Sequence, residues 1–409
     1  MRTNFHKLFI LKKNEAIFFL IACSFCCHLI SFAQFYQSRF LQTGLFVTTC
    51  ILITVPLFLS KGFSFVTGLI ASLLLAMGYT FHAIFFPFHE NPALIICFVL
   101  SVGLLYIEIN NRHHIPTTIT TNTVFYISIF LLVYLSLEIY WRFNLFSNIA
   151  YEATNYKGEL FRLSGNVFNP NRWAASISIL IAAIFSKAIK TPSTKTLIPL
   201  FIFFAYGLFS LSKTFFISIL LFIAFVSFIN FSNLRRIFVV SIICVIAAYT
   251  GFTFSPEKMQ TKIIASGEII ASPYESNTFK ERIKTYEEAF EALEDNLVLG
   301  VGIEGLERSP HNNFLAHYAY FGIIGIIIFL LLFIVPFIIV IKSAENKHQK
   351  VFFTFLFILV TMNTSLSSMA TDVVAQINYI LSFILAHRII KSTFYYNNPV
   401  PVIPEHFVE

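Results

Sequence analysis

The chain has 409 residues, of which 57% are hydrophobic and 12% charged, and its mean hydropathy is +0.76. A soluble protein uses about a quarter of its residues as charges to cover its surface, so a soluble enzyme or binding module of this length is excluded and the chain reads as a membrane protein. The net charge of +7 then points to membrane topology rather than to nucleic acid, because cytoplasmic loops concentrate Lys and Arg.

A helix that crosses the hydrocarbon core needs about 20 mostly apolar residues, and twelve segments qualify: Ala16–Ala33, Gly44–Leu59, Phe63–Ile84, Pro92–Ile107, Thr123–Tyr140, Trp173–Ser186, Leu197–Leu211, Thr214–Phe231, Ile237–Phe254, Phe314–Ile341, Val351–Leu366 and Val373–Ala386. The first follows Lys12 and Lys13 and ends in small residues, as a secretory signal does; the eleven segments after it favour an uncleaved first helix. The pairs around Lys213 and Ser367 have very short connections, so each also fits one long helix or a re-entrant hairpin. All six cysteines (Cys23, Cys26, Cys27, Cys50, Cys97 and Cys244) lie inside apolar runs. They read as small apolar filler rather than a disulfide framework or a zinc site.

Charge supports an even number of spans. With both termini cytoplasmic, 16 of the 28 Lys and Arg fall on the inner side, while the short outer loops hold only Arg39 and Lys213. The expected organisation is five spans in 1–140, an outer loop in 141–172, four spans in 173–254, a large outer loop in 255–313, three spans in 314–390 and a tail in 391–409. The expected fold is an all-α polytopic membrane protein of about twelve transmembrane helices, with an amphipathic helix in the large loop.

The two long outer loops hold the polar chain needed for chemistry. The first ends with Arg162, Asn166, Asn169, Pro170, Asn171, Arg172 and Trp173. Two arginines and three asparagines at the start of a helix fit a donor-rich collar for diphosphate. They equally fit an asparagine N-cap followed by Pro and an interfacial Trp. In the second loop, Phe279, Ile283, Tyr286, Phe290 and Leu293 recur every three or four residues, predicting an amphipathic helix over Thr278–Leu297 near the membrane surface. Arg282 sits on it, either solvated or functional. Gly300, Gly302 and Gly305 permit a tight turn, but no preceding strand and no following Gly-Lys-Ser/Thr make it a phosphate loop.

His311 then stands at the mouth of the tenth span, where a near-neutral imidazole can handle a proton or simply serve as an interfacial side chain. His317 lies deeper on another face, and the two histidines lack a third ligand, so no metal site is expected. Gly322 and Gly325 let a neighbouring helix approach closely. Lys213, at the edge between two spans, is either a functional intramembrane charge or a snorkelling one.

Arg162-x-x-Gly165, Asn169-Pro170-Asn171, the basic turn at Lys213, Arg282 in a large loop, and His311-Asn312 followed after nine residues by Gly322-x-x-Gly325 together resemble the O-antigen ligase family, which also includes many O-antigen polymerases. The similarity covers roughly 162–329. It implies a GT-C-type membrane glycosyltransferase, without metal or other cofactor, on the periplasmic side of the bacterial inner membrane. The donor would be a glycan on undecaprenyl diphosphate and the acceptor the sugar of lipid A–core. The resemblance implies that His311 activates or orients the acceptor hydroxyl, with Asn312, Gly322 and Gly325 completing its motif, and that Arg282 contacts diphosphate. Lys213 stands where relatives carry an arginine, keeping the charge and losing bidentate geometry. Arg162 and Arg172, with Asn169 and Asn171 in support, are further diphosphate candidates. Tyr151, Tyr156 and Trp173 are available to stack on sugars or to mark the interface.

Two other readings stay open. A polymerase would use the same donor with a second lipid-linked acceptor. A secondary transporter or flippase would place its charges at midplane on broken helices, whereas here the polar groups crowd one rim.

Overall fold

A computed structural model describes residues 2–31, 39–60, 62–86, 92–111, 117–148, 169–210, 277–366, 369–370 and 372–394, and single positions between 212 and 253. The described residues contain helices and no strand: α1 (Arg2–Ser31), α2 (Arg39–Leu59), α3 (Phe63–Phe85), α4 (Pro92–Asn110), α5 (Thr117–Asn148), α6 (Pro170–Lys190), α7 (Thr194–Phe209), α8 (Asn277–Glu294), α9 (Asn313–Phe329), α10 (Val335–Lys342), α11 (Lys347–Leu366) and α12 (Val373–Thr393), with a π-helical turn at Leu330–Ile334 joining α9 to α10. Among them, eight stretches are long and apolar enough to cross a membrane. The protein is a polytopic helical membrane protein. The eighth and ninth expected spans and Lys213 lie almost entirely outside the described residues.

α6 and α12 form the centre. Both are buried along nearly their whole length, whereas α2 and α3 expose most of theirs. Lipid is as apolar as leucine, so helices associate through close packing and buried polar contacts rather than hydrophobic burial. α6 accordingly lines its surface with Ala174, Ala175, Ser178, Ala182, Ala183 and Ala188, all buried, while α2 and α3 turn Phe58, Phe63, Leu73 and Met77 outward. Cys97 is buried and the thiols of Cys50 and Cys97 share a hydrogen bond inside the bundle; Cys244 lies outside the described residues.

Three cations that sequence reasoning assigned to topology are buried at the end of the bundle where α6 and α12 finish. Arg388 forms an ion pair with Glu108 of α4, with side chains only 2% and 0% accessible. Lys187 donates to the Thr117 carbonyl at 3.1 Å and to Thr120 Oγ1 at 2.5 Å. Lys391 donates to the Asn111 carbonyl at 3.0 Å. These contacts tie α6 and α12 to α4 and α5. Glu108→Ala, which leaves the Arg388 guanidinium without its carboxylate, is expected to cost about 3–5 kcal/mol, whereas the paired change Glu108→Leu with Arg388→Met recovers most of that loss. Unfolding in detergent measures both, and unchanged stability of the single variant would contradict the structural role.

The largest departure from expectation lies in the tenth span. Phe314–Ile341 reads as one straight helix, yet Gly322 has φ 58° and ψ −139°. Rings that a straight helix would hold about 22 Å apart instead meet: Phe314 and Phe329 have centroids 5.3 Å apart, and His317 and Phe333 6.0 Å. The chain is therefore a helical hairpin folded at Gly322. Its second arm, 323–342, is about 30 Å long, enough to span a bilayer by itself.

The fold leaves backbone groups without intrahelical partners, and the preceding glycine loop supplies them. Val301 N–H donates to the Ala319 carbonyl at 2.9 Å and Gly302 N–H to that of Tyr320 at 3.0 Å, while Ile323 N–H donates to the Val298 carbonyl at 3.1 Å. His82 Nε2 of α3 lies 3.0 Å from the same Tyr320 carbonyl. Gly300 and Gly302 have φ 71° and 73°, and a Cβ on Gly300 would sit 2.6 Å from Gly322 N. The two glycine motifs are thus one device. Gly322 makes the turn rather than a helix–helix contact, and Gly325 packs against the His317 carbonyl of the opposing arm.

Candidate functional site

Asn169 caps α6, its side chain accepting from the N–H groups of Asn171 at 2.9 Å and Arg172 at 3.4 Å, with Pro170 in the first turn. The capping reading of this cluster is therefore realised at Asn169. The accompanying expectation of an interfacial or sugar-stacking Trp is not. Trp173 is fully buried and meets Tyr206 edge-on at 5.1 Å, and Tyr206 donates in turn to the buried carboxylate of Glu138. Enclosure in the bundle outweighs the indole's preference for a wet edge. Arg162, Asn166, Tyr151, Tyr156 and Lys213 lie outside the described residues.

Capping α6 in this way aims Arg172 across to the start of α12. Its guanidinium donates to Asp372 at 2.7 Å, with side chains 19% and 16% accessible. Asp372 is itself the cap of α12, accepting from Ala375 N–H at 2.9 Å. The two central helices therefore begin side by side, joined by a charge-assisted bond partly shielded from water.

α8 follows the predicted amphipathic segment closely. Its contact with α9 is made by Ala289 and Leu293 against Leu315 and Ala319, with Tyr286, Leu306 and Tyr318 around them. Arg282 lies on this contact face, half-buried, rather than on the solvated face that carries Glu287 and Glu291. Burial raises the Tyr286 hydroxyl above its ordinary pKa, and the nearby Arg282 charge opposes that rise.

His311 occupies the turn before α9, exposed, and Asn312 caps that helix by accepting from Leu315 N–H at 3.0 Å. The imidazole is pushed below its usual pKa, first by crowding of protein atoms around it, then by the positive charges of Arg282 and Arg172, with Glu281 acting the other way. Tyr320 also lies within electrostatic reach of Arg172. Three separate segments, the start of α6, the inner face of α8 and the turn before α9, thus converge. His317 does not join them. It is fully buried, and its Nδ1 lies 2.7 Å from the Asn313 carbonyl of its own helix.

No protein-family model matches the chain, and no curated protein does.

An imidazole within electrostatic reach of two guanidiniums, which disfavour its protonated form, can accept a proton from a hydroxyl while the cations attract an anion. Asp372, Glu281 and Tyr320 escaped sequence reasoning. Asp372 sits in the short polar connection before the last apolar run, where its position as a helix-capping carboxylate was the available signal.

Proposed function

We propose that this chain is an O-antigen ligase-like glycosyltransferase of the bacterial inner membrane, moving a glycan from undecaprenyl diphosphate to lipid A–core on the periplasmic side. What supports this most is that the charges of Arg282 and Arg172 both act on His311, three residues singled out by the family motif or as diphosphate candidates. In the reaction the acceptor hydroxyl gives its proton to His311 and its oxygen bonds to the anomeric carbon. The bond from that carbon to the diphosphate oxygen breaks, and lipid diphosphate leaves with the electron pair. Arg282 and Arg172 offset the charge that develops on the leaving group, and Arg162 and Lys213 are further diphosphate contacts. Diphosphate is already a good leaving group, so catalysis needs only those cations and one base.

Deleting the gene and analysing lipopolysaccharide together with lipid-linked glycan tests the proposal. Loss of capped core while long chains accumulate on undecaprenyl is the expected result. Core capped by single repeats identifies a polymerase instead, and normal glycans of both kinds remove the proposal.

A further inference from the structure

Two residues after His311, Asn313 is fully buried at the start of α9. Its Oδ1 accepts from the backbone N–H of Met369 at 2.8 Å. The carbonyl of that same residue accepts from Gln376 Nε2 at 2.8 Å and from Asp372 N–H at 3.0 Å. Gln376 Nε2 also reaches the Ala370 carbonyl at 3.2 Å, and Gln376 N–H donates to the Asp372 carbonyl at 3.0 Å. One buried turn is therefore gripped from α9 on one side and from α12 on the other, and Met369 itself is inaccessible.

The chain neighbours of this grip give it significance. Asn313 is two residues from His311. Met369 is three residues from Asp372, whose carboxylate holds Arg172. The histidine and the arginine lie 139 positions apart, so only tertiary contacts relate them, and the exposed His311 side chain follows the placement of its turn. Hydrogen bonds in a dry setting are both stronger and costlier to leave unmade than at a surface, so a buried amide is well suited to fixing one segment against another.

We infer that Asn313 and Gln376 are positioning residues, which together clamp the Met369 turn and thereby set His311 against the Arg172–Asp372 pair. The catalytic meaning of this clamp rests on the glycosyltransferase reading; the clamp itself does not.

The test uses full-length protein in detergent with ¹³C-labelled histidine, the His311 resonance being assigned by its loss in His311→Gln. In the wild type His311 is expected to titrate below an ordinary imidazole. In Asn313→Ala, and separately in Gln376→Ala, its midpoint is expected to rise as the imidazole moves away from Arg172. The double variant is expected to move it by less than the sum, because both residues act on one turn. Asn110→Ala serves as control. It loses a bond to the Tyr106 carbonyl of 2.8 Å at the other end of the bundle and is expected to leave the titration in place. In parallel, the acid limb of glycan transfer should move up in step with the midpoint. If wild-type protein transfers no glycan, the functional reading fails while the titration still decides the clamp. A His311 midpoint unmoved in both single variants, or moved as far by Asn110→Ala, overturns it.

Discussion

Alanine at position 311 is expected to lower glycan transfer by about 10²–10⁴-fold, the usual contribution of a positioned general base, with the protein's abundance unchanged. The two halves of that expectation have separate grounds. His311 is exposed in a turn, and the cap of α9 is made by Asn312 rather than by the histidine, so its side chain supports little packing and substitution should cost well under 1 kcal/mol of stability. The chemical loss follows from its surroundings. Partial loss of hydration and the Arg282 and Arg172 charges depress its pKa, which favours the neutral imidazole, the form that can take a proton from a hydroxyl. Transfer measured with purified enzyme, lipid-linked donor and core acceptor decides the matter, and wild-type activity in His311→Ala removes it from the mechanism.

The same electrostatics fix the direction of the pH dependence. A base works when unprotonated, so activity should fall as pH drops through the His311 pKa, which lies below the ordinary imidazole value. Replacing Arg282 or Arg172 with glutamine removes a cation that opposes protonation. The pKa rises, and the acid loss of activity begins at a higher pH. Arg282 exerts the larger of the two influences, so Arg282→Gln should shift the limb further. Both variants should also bind the diphosphate donor more weakly, which appears in KM and is separable from the position of the limb.

What the sequence made legible is what depends on local chain chemistry. Phe63–Ile84 was expected and α3 covers Phe63–Phe85; Thr278–Leu297 was expected and α8 covers Asn277–Glu294. Apolar runs and amphipathic periods are properties of consecutive residues, so they can be read directly. Contacts across the bundle cannot. Arg172 and Asp372 are 200 positions apart, and nothing near either names the other. Glu108 and Glu138 sit inside apolar runs, where an ionisable group is itself a signal of a buried partner, yet neither partner, Arg388 nor Tyr206, is adjacent. Trp173 was expected at an interface because that is where lone tryptophans beside a loop usually lie; only the tertiary position of Tyr206 shows it enclosed. The fold at Gly322 was the hardest to see. The residues after it are apolar without interruption to Ile341, and hydropathy cannot register a single backbone angle.

That hidden angle leads to the largest stability effect expected of a single methyl group. Gly322→Ala places a side chain at φ 58°, ψ −139°, a region that L-residues occupy at a cost of about 1–3 kcal/mol, and the new Cβ also runs into the Val298 carbonyl, which accepts from Ile323 N–H at 3.1 Å. Relieving either strain means opening the hairpin or pushing the glycine loop out, and both separate the loop from the Ala319 and Tyr320 carbonyls it satisfies. Gly44→Ala provides the opposite case: nothing lies within 4 Å of its Cβ, and in a helix interior alanine is favoured over glycine by roughly 0.5–1 kcal/mol. Thermal unfolding in detergent should therefore rank Gly44→Ala at or above wild type and Gly322→Ala well below it. Equal stability of the two would contradict the hairpin, because a straight tenth span would welcome alanine at both positions. Since the first arm begins at Asn313, two residues past His311, Gly322→Ala should also reduce glycan transfer in whatever fraction of the protein remains folded, although it touches neither His311 nor either arginine.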